Sequence, residues 1–134
     1  MNIETARKLR DITSSFYREN ASSFSSTRHA SWAGWSRCLD AMGFDTASVA
    51  GQSYRKALCV LDVACGNRRF FRFLQGALPD AEVEYYAVDD CEQLVLEGLA
   101  SDADNVAFQK LDVVSRLIEG SIEHAIEAPP VDIA

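Results

Sequence analysis

The sequence predicts an α/β fold in which the strands of a parallel sheet alternate with helices. A continuous apolar run at 57–61 and two largely apolar stretches at 83–88 and 106–111 are separated by segments whose apolar residues have helical spacing. Runs of this kind are typical of buried strands, and connections of this length favour right-handed crossovers with helices on both faces. The 134 residues, 48% hydrophobic and 25% charged, are typical of one globular domain.

The segment before the first strand predicts a helical cap over residues 1–54. Apolar residues recur at three- and four-residue intervals over 3–19, which predicts an amphipathic helix. A Ser-rich joint is expected at 21–27. A second helix is expected over 32–42, because Gly43 suits the left-handed backbone that ends many helices.

Residues 55–134 are interpreted as the first half of a sheet domain, truncated at its fourth strand. Three helices are predicted to follow the strands, over 67–78, over 91–100 and, more weakly and interrupted at Gly120, over 117–126. The segment 131–134 predicts the opening of a fourth strand. Truncation there is expected to leave the first strand as an exposed apolar edge, which invites pairing with another chain.

The charge is unevenly distributed along the chain. Residues 1–76 carry eleven basic and six acidic residues, and residues 77–134 carry two and fourteen, which together give the net charge of −7. The acidic half argues against a nucleic-acid footprint there, because phosphate binding needs clustered cations. No apolar run approaches the roughly 20 residues of a membrane span, and the N-terminus lacks an apolar signal region, so a cytoplasmic protein with no membrane partner is predicted.

Carboxylates follow all three predicted strands, as Asp62, Asp89 and Asp112. The carboxyl ends of parallel strands meet at one edge of a sheet, where ligands of open α/β sheets bind. The alternative interpretation is that an Asp after a strand has a structural role alone, as the N-cap of the next helix. Three such acids, with Gly66 in the first turn, favour a site for a nucleoside-type cofactor in which Asp89 accepts both ribose hydroxyls. His29 and His124 have no partners at metal-ligand spacing, and no GxGxxG motif is present.

The segment 60–68, Val-Leu-Asp-Val-Ala-Cys-Gly-Asn-Arg, resembles the first motif of class I S-adenosylmethionine-dependent methyltransferases, Asp-x-Gly-x-Gly-x-Gly. Ala64 and Arg68 stand at the first and third glycine positions, and Gly66 retains the second. Ala64 is expected to fit if its φ is negative. Arg68 is expected to swing outward, or to pair with the cofactor carboxylate or a nearby acid.

Two further segments, 85–89 and 108–113, resemble the second and third motifs of the same family, and 131–134 resembles the start of its fourth strand. The resemblance implies a Rossmann-like fold and a set of residues that bind S-adenosylmethionine. These are Asp62, Ala64, Cys65 and Gly66 around the methionine, Asn67 and Arg68 next to them in the same motif, Asp89 at the ribose, and Asp90, Cys91, Leu111, Asp112 and Val113 around the adenine.

The stretch 16–32 is similar to the N-terminal region of methyltransferases related to the tRNA wobble-uridine enzymes, which carry a Phe-Ser-x-Thr-Arg element and a nearby Trp-Pro. This chain has Trp32-Ala33 at the second position. The resemblance implies that Phe24, Arg28 and Trp32 lie over the cofactor and contact its carboxylate. Surface or core roles for these residues are the alternative interpretation.

The sequence is thus interpreted as the cofactor-binding portion of a methyltransferase, incomplete and weakly active or inactive alone, with no catalytic residue identified. The methyl acceptor is left open among RNA, protein and small molecules. The alternative is a non-catalytic Rossmann-like module that pairs with another chain, for example as a homodimer, through its exposed sheet edge.

Overall fold

The structure is a computed structural model that describes residues 2–44, 57–99 and 106–134. Its elements are α1 (Ile3–Ser26), α2 (Ala33–Ala41), β1 (Leu58–Val63), α3 (Arg69–Ala77), β2 (Val83–Asp89), α4 (Glu92–Leu99), β3 (Val106–Lys110), α5 (Val113–Glu119) and a 3-10 turn (Ile122–His124). The strands and helices alternate as the sequence predicts. The predicted boundary between cap and sheet domain, at residue 54, lies outside the described residues.

The three strands form one parallel sheet in the order β1-β2-β3. The predicted Rossmann-like α/β arrangement is therefore present. Its core joins strand residues Val60, Tyr85 and Ala87 to Phe71 and Leu74 of α3, and all five are buried. None of the helices in the described part of the chain is both long and apolar enough to cross a membrane.

The C-terminal segment pairs with the outer side of β1. Ile133 forms a parallel bridge with Val60, Leu61 N donates to Ile133 O over 2.8 Å, and Asp132 N donates to Cys59 O over 2.8 Å. This pairing agrees with the predicted fourth strand and covers the middle of β1, which is the terminal strand of the three-stranded sheet. The predicted exposed edge along β1 is therefore occupied at residues 59–61, and pairing of two copies of the chain stays a prediction.

Helix α1 is longer than predicted and includes the Ser-rich stretch expected as a joint. It bends at Asn20 (φ −118°, ψ 15°), whose side-chain amide donates to Phe16 O over 2.8 Å and so competes with the helical backbone. The helix then continues, because Ala21 and Ser25 are buried and Ala21 packs with Leu94 of α4. Packing thus overrides the low helix propensity of serine.

The third crossover also differs from the prediction. Helix α5 begins at Val113 rather than at 117, because Asp112 caps its N-terminus by accepting from Ser115 N over 2.9 Å. Gly120 ends it in the left-handed conformation (φ 68°). Gly43 (φ 84°) follows α2 in the same conformation, as predicted.

Candidate functional site

The turn after β1 follows an alternating backbone pattern. Ala64, Gly66 and Arg68 have φ values of 62°, 54° and 55°, so every second residue is left-handed. Ala64 N and Cys65 N donate to Val88 O over 2.8 and 3.2 Å, which holds the turn against the end of β2. The positions that resemble the family's glycines therefore keep a glycine-like backbone, and the condition under which Ala64 was expected to fit, a negative φ, is not met.

We predict that Ala64→Gly stabilises the protein. A left-handed alanine carries a strain of about 1–2 kcal/mol, which glycine removes while adding some freedom to the unfolded chain. The expected net gain is about 1 kcal/mol in the free energy of unfolding, measured by urea denaturation. A loss of stability would show that the methyl group of Ala64 packs favourably enough to outweigh the strain.

Asp89 connects this turn to helix α4. It is 8% exposed, its Oδ2 accepts from Gly66 N over 2.8 Å, and its Oδ1 accepts from Cys91 N over 2.9 Å. Burial raises the pKa of Asp89, against the lowering effect of these two hydrogen bonds. Each oxygen keeps a further lone pair, so the carboxylate can still accept from a ligand.

Asp62 lies at the end of the neighbouring strand, and the hydroxyl of Tyr85 donates to its Oδ2. Burial raises the pKa of Asp62, the Tyr85 hydrogen bond opposes that shift, and the nearby charge of Asp89 adds to it. Burial and the charge of Asp62 also raise the pKa of Tyr85, which therefore remains a hydrogen-bond donor at neutral pH. The strand ends thus supply acceptors aimed at the space beyond the sheet.

Helix α1 crosses this edge of the sheet and contacts two more acids there. The Ser14 hydroxyl donates to Asp90 Oδ2 over 2.6 Å, and Arg10 forms an ion pair with Asp112. Burial raises the pKa of Asp112, but the hydrogen bonds from Ser115 and the charge of Arg10 outweigh it, so the pKa is lowered overall. These polar contacts fix α1 over the ends of β2 and β3.

Asn67 makes a third link between α1 and the turn. Its side-chain amide is buried and donates to Ser25 Oγ over 2.9 Å and to Arg28 O over 3.2 Å. Its own carbonyl accepts from Arg72 Nη1 over 3.0 Å. The C-terminal end of α1 is therefore held directly beside the turn after β1.

A cavity of about 710 Å³ lies between α1 and the carboxyl ends of the strands, within the range of ligand pockets. Most of the predicted site residues line it, namely Arg28, Asp62, Ala64, Cys65, Gly66, Asn67, Asp89, Asp90, Leu111, Asp112 and Val113. The structure therefore brings together residues that are up to 85 positions apart in the sequence, from Arg28 to Val113.

Three predicted site residues do not line this cavity. Trp32 is 69% exposed at the start of α2, and Trp35 of the same helix lines the cavity instead. Cys91 is buried against Ala21 and Leu94. Arg68 neither swings outward nor reaches the cavity, because its side chain is fully buried, where its charge acts on Tyr85 and Cys65.

Phe24 of α1 lines the cavity, as the resemblance implies, but sequence reasoning missed the contribution of the rest of α1. Its cavity-facing residues recur at helical spacing, as Ala6, Leu9, Arg10, Thr13, Ser14 and Tyr17. The polar members of that stripe were a usable signal, because they interrupt the apolar face that the helix would otherwise bury. Trp35, Arg69 and Phe70 were missed as well. Within residues 2–44, 57–99 and 106–134, no group of three His, Cys, Asp or Glu is placed to hold a metal ion.

No family model matches this sequence, and no curated protein matches it. Among solved structures, the chain is similar to one described as a DhpI–SAH complex, with 17% sequence identity and a TM-score of 0.49. The similarity covers 89% of this chain and 64% of that chain, so the sequence spans less than two thirds of the matched protein. The function of this chain has to be inferred from the geometry of its own site.

Proposed function

We propose that the cavity binds S-adenosylmethionine, and that this chain is the cofactor-binding part of a methyltransferase. The carrying observation is the turn after β1, whose left-handed residues Ala64 and Gly66 border a cavity of about 710 Å³ beside the Asp62, Asp89 and Asp90 carboxylates. These two left-handed residues bend the backbone so that it can surround a ligand, which a straight strand-to-helix connection would not accommodate. Residues 1–54 act as the cap and 55–134 as the cofactor-binding part.

The chemistry of the donor set fits the parts of this ligand. Asp89, with Asp90 beside it, accepts the ribose hydroxyls, and Asp62 pairs with the amino group of the methionine. Arg28 pairs with the methionine carboxylate, since Asn67 holds its backbone beside the turn. The apolar side chains of Leu111 and Val113 flank the base.

When bound, S-adenosylmethionine supplies an electrophilic methyl group whose C–S electrons return to sulfur as a nucleophile takes it. The residues of this chain bind and orient, which is the main requirement of direct methyl transfer. The proposed function leaves the methyl acceptor open among RNA, protein and small molecules. The similarity of residues 16–32 to tRNA wobble-uridine enzymes stays a prediction.

Calorimetric titration with S-adenosylhomocysteine and S-adenosylmethionine tests this proposal. Arg28→Gln is expected to weaken S-adenosylhomocysteine binding by about tenfold or more, because it removes a charge-assisted contact of about 1.5–3 kcal/mol. It should leave 5′-methylthioadenosine, which lacks the amino-acid group, bound as in the wild type.

Arg37→Gln is the matched control, since Arg37 is an exposed residue of α2 away from the cavity lining. If none of the three ligands gives a heat of binding or raises the thermal stability of the protein, the proposal is overturned. An equal effect of Arg28→Gln on 5′-methylthioadenosine would overturn the assignment of Arg28 to the carboxylate.

A further inference from the structure

Two guanidinium groups lie on aromatic rings along the wall of the cavity. Arg28 Cζ is 4.3 Å from the ring centroid of Phe24, and Arg69 Cζ is 5.2 Å from that of Trp35. All four residues line the cavity, and so does Phe70, whose ring centroid is 5.1 Å from that of Trp35. This part of the cavity is therefore both cationic and aromatic.

The two charges are not neutralised by the acids that surround the rest of the cavity. Arg10, which also lines it, forms ion pairs with Asp11 and Asp112. Within the described ranges of the chain, neither Arg28 nor Arg69 has a carboxylate within ion-pair distance. A guanidinium held on an aromatic face keeps its in-plane N–H donors directed outward, available to an anion.

The two arginines belong to different parts of the cavity wall. Arg28 is the residue beside the turn, because Asn67 bonds to its carbonyl over 3.2 Å. Arg69 begins α3 and rests on Trp35 of α2, so it belongs to the wall formed by these two helices. That wall continues through Phe70 and Phe73, whose ring centroids are 5.9 Å apart. Arg69 thus offers a second anion-binding group with an aromatic surface beside it.

We propose that Arg69, Trp35 and Phe70 form the acceptor subsite, and that the acceptor is a small anionic molecule with an apolar or aromatic body. This inference rests on the proposed function. The anion, a carboxylate or a phosphate, pairs with Arg69, and the body of the molecule packs on the two rings. A polyanion such as RNA is disfavoured, because the chain has a net charge of −7 and, among the described residues that line the cavity, Arg69 is the only cation without an ion pair or a proposed contact to the cofactor.

The test titrates protein saturated with S-adenosylhomocysteine with benzoate, inorganic phosphate and a short single-stranded RNA. The Trp32→Phe background leaves Trp35 as the only tryptophan, so its fluorescence reports on this wall, and calorimetry gives the affinity. Benzoate is expected to bind the loaded protein and change Trp35 emission. Arg69→Gln is expected to weaken benzoate about tenfold or more while S-adenosylhomocysteine binds normally, and Arg37→Gln should change neither.

The outcomes separate this inference from the proposed function. If S-adenosylhomocysteine does not bind, the proposed function is overturned. If benzoate still binds in that case, and binds less tightly to Arg69→Gln, the anion subsite stands on its own. Benzoate that binds the unloaded protein but not the protein saturated with S-adenosylhomocysteine overturns the separate subsite, because both ligands would then use one anion position. If phosphate binds and benzoate does not, the proposal that the acceptor has an apolar or aromatic body is overturned. If the RNA binds more tightly than benzoate and its binding depends on Arg69, the proposal of a small acceptor is overturned.

Discussion

Gly98→Ala is expected to destabilise the protein and to weaken ligand binding at a site that Gly98 does not line. A Cβ at position 98 would lie 2.3 Å from Asn67 O and 2.9 Å from Asn67 C, both backbone atoms. Helix α4 can approach the turn after β1 only because residue 98 has no side chain. The added methyl must therefore move either α4 or the turn that borders the cavity.

The expected net loss is about 2 kcal/mol in the free energy of unfolding. Overpacking costs about 3 kcal/mol, and the better helix propensity of alanine returns about 1 kcal/mol. Urea denaturation measures the loss, and calorimetry with S-adenosylhomocysteine is expected to show at least about tenfold weaker binding, since the displaced turn carries Ala64, Gly66 and Asn67.

Gly76→Ala is the control for helix propensity. Gly76 lies in α3, and a Cβ there meets no atom within 4 Å, so this change should stabilise the protein by about 0.5–1 kcal/mol. Ligand binding should not change. If the two variants had equal stability, the close approach of α4 to Asn67 would not constrain the fold.

The strands and their terminal acids could be predicted because the signals are local. Apolar runs bounded by turn residues identify β1, β2 and β3, and the parallel order follows from the helices between them. Once the strands are parallel, Asp62, Asp89 and Asp112 must meet at one edge. Periodicity alone could not place α1 over that edge, because it identifies an apolar face and not the surface that this face covers. Only the resemblance over residues 16–32 implied that Phe24 and Arg28 lie over the cofactor.

The conformation of the turn shows a different limit of sequence reasoning. Alanine and arginine at positions 64 and 68 disfavour a positive φ, yet both residues adopt one. The bonds from Ala64 N and Cys65 N to Val88, and from Gly66 N to Asp89, determine the path of the backbone. Contacts between residues more than 20 positions apart thus outweigh the local preference. The same turn buries Arg68 completely, which no pattern along the chain indicates.

Asp89→Ala is expected to have the largest effect on the site. The substitution removes the carboxylate that accepts hydrogen bonds from Gly66 N and Cys91 N, so both N–H groups lose this partner. Water cannot easily replace it, because Asp89 is only 8% exposed in the wild type. Two bonds to a charged acceptor contribute about 1.5–3 kcal/mol each, and release of the buried charge offsets part of that sum. We expect a loss of about 3 kcal/mol in stability and no measurable S-adenosylhomocysteine binding, with exposed Asp80→Ala as the neutral control.

Asp89→Asn separates the hydrogen bonds from the charge. The amide offers one oxygen, so it can satisfy either Gly66 N or Cys91 N, and its NH₂ group faces the other.

Because burial raises the pKa of Asp89, the native state holds the proton of this carboxyl group more tightly than the unfolded chain does. Its contribution to stability therefore falls as the pH rises from 3.8, the ordinary value, through the raised pKa. Asp89→Asn should make unfolding free energy less dependent on pH in that window, and Asp62 should supply the remaining slope, since burial raises its pKa too. An unchanged slope would mean that the carboxylate of Asp89 is hydrated in solution, in which case it could not hold the turn against helix α4.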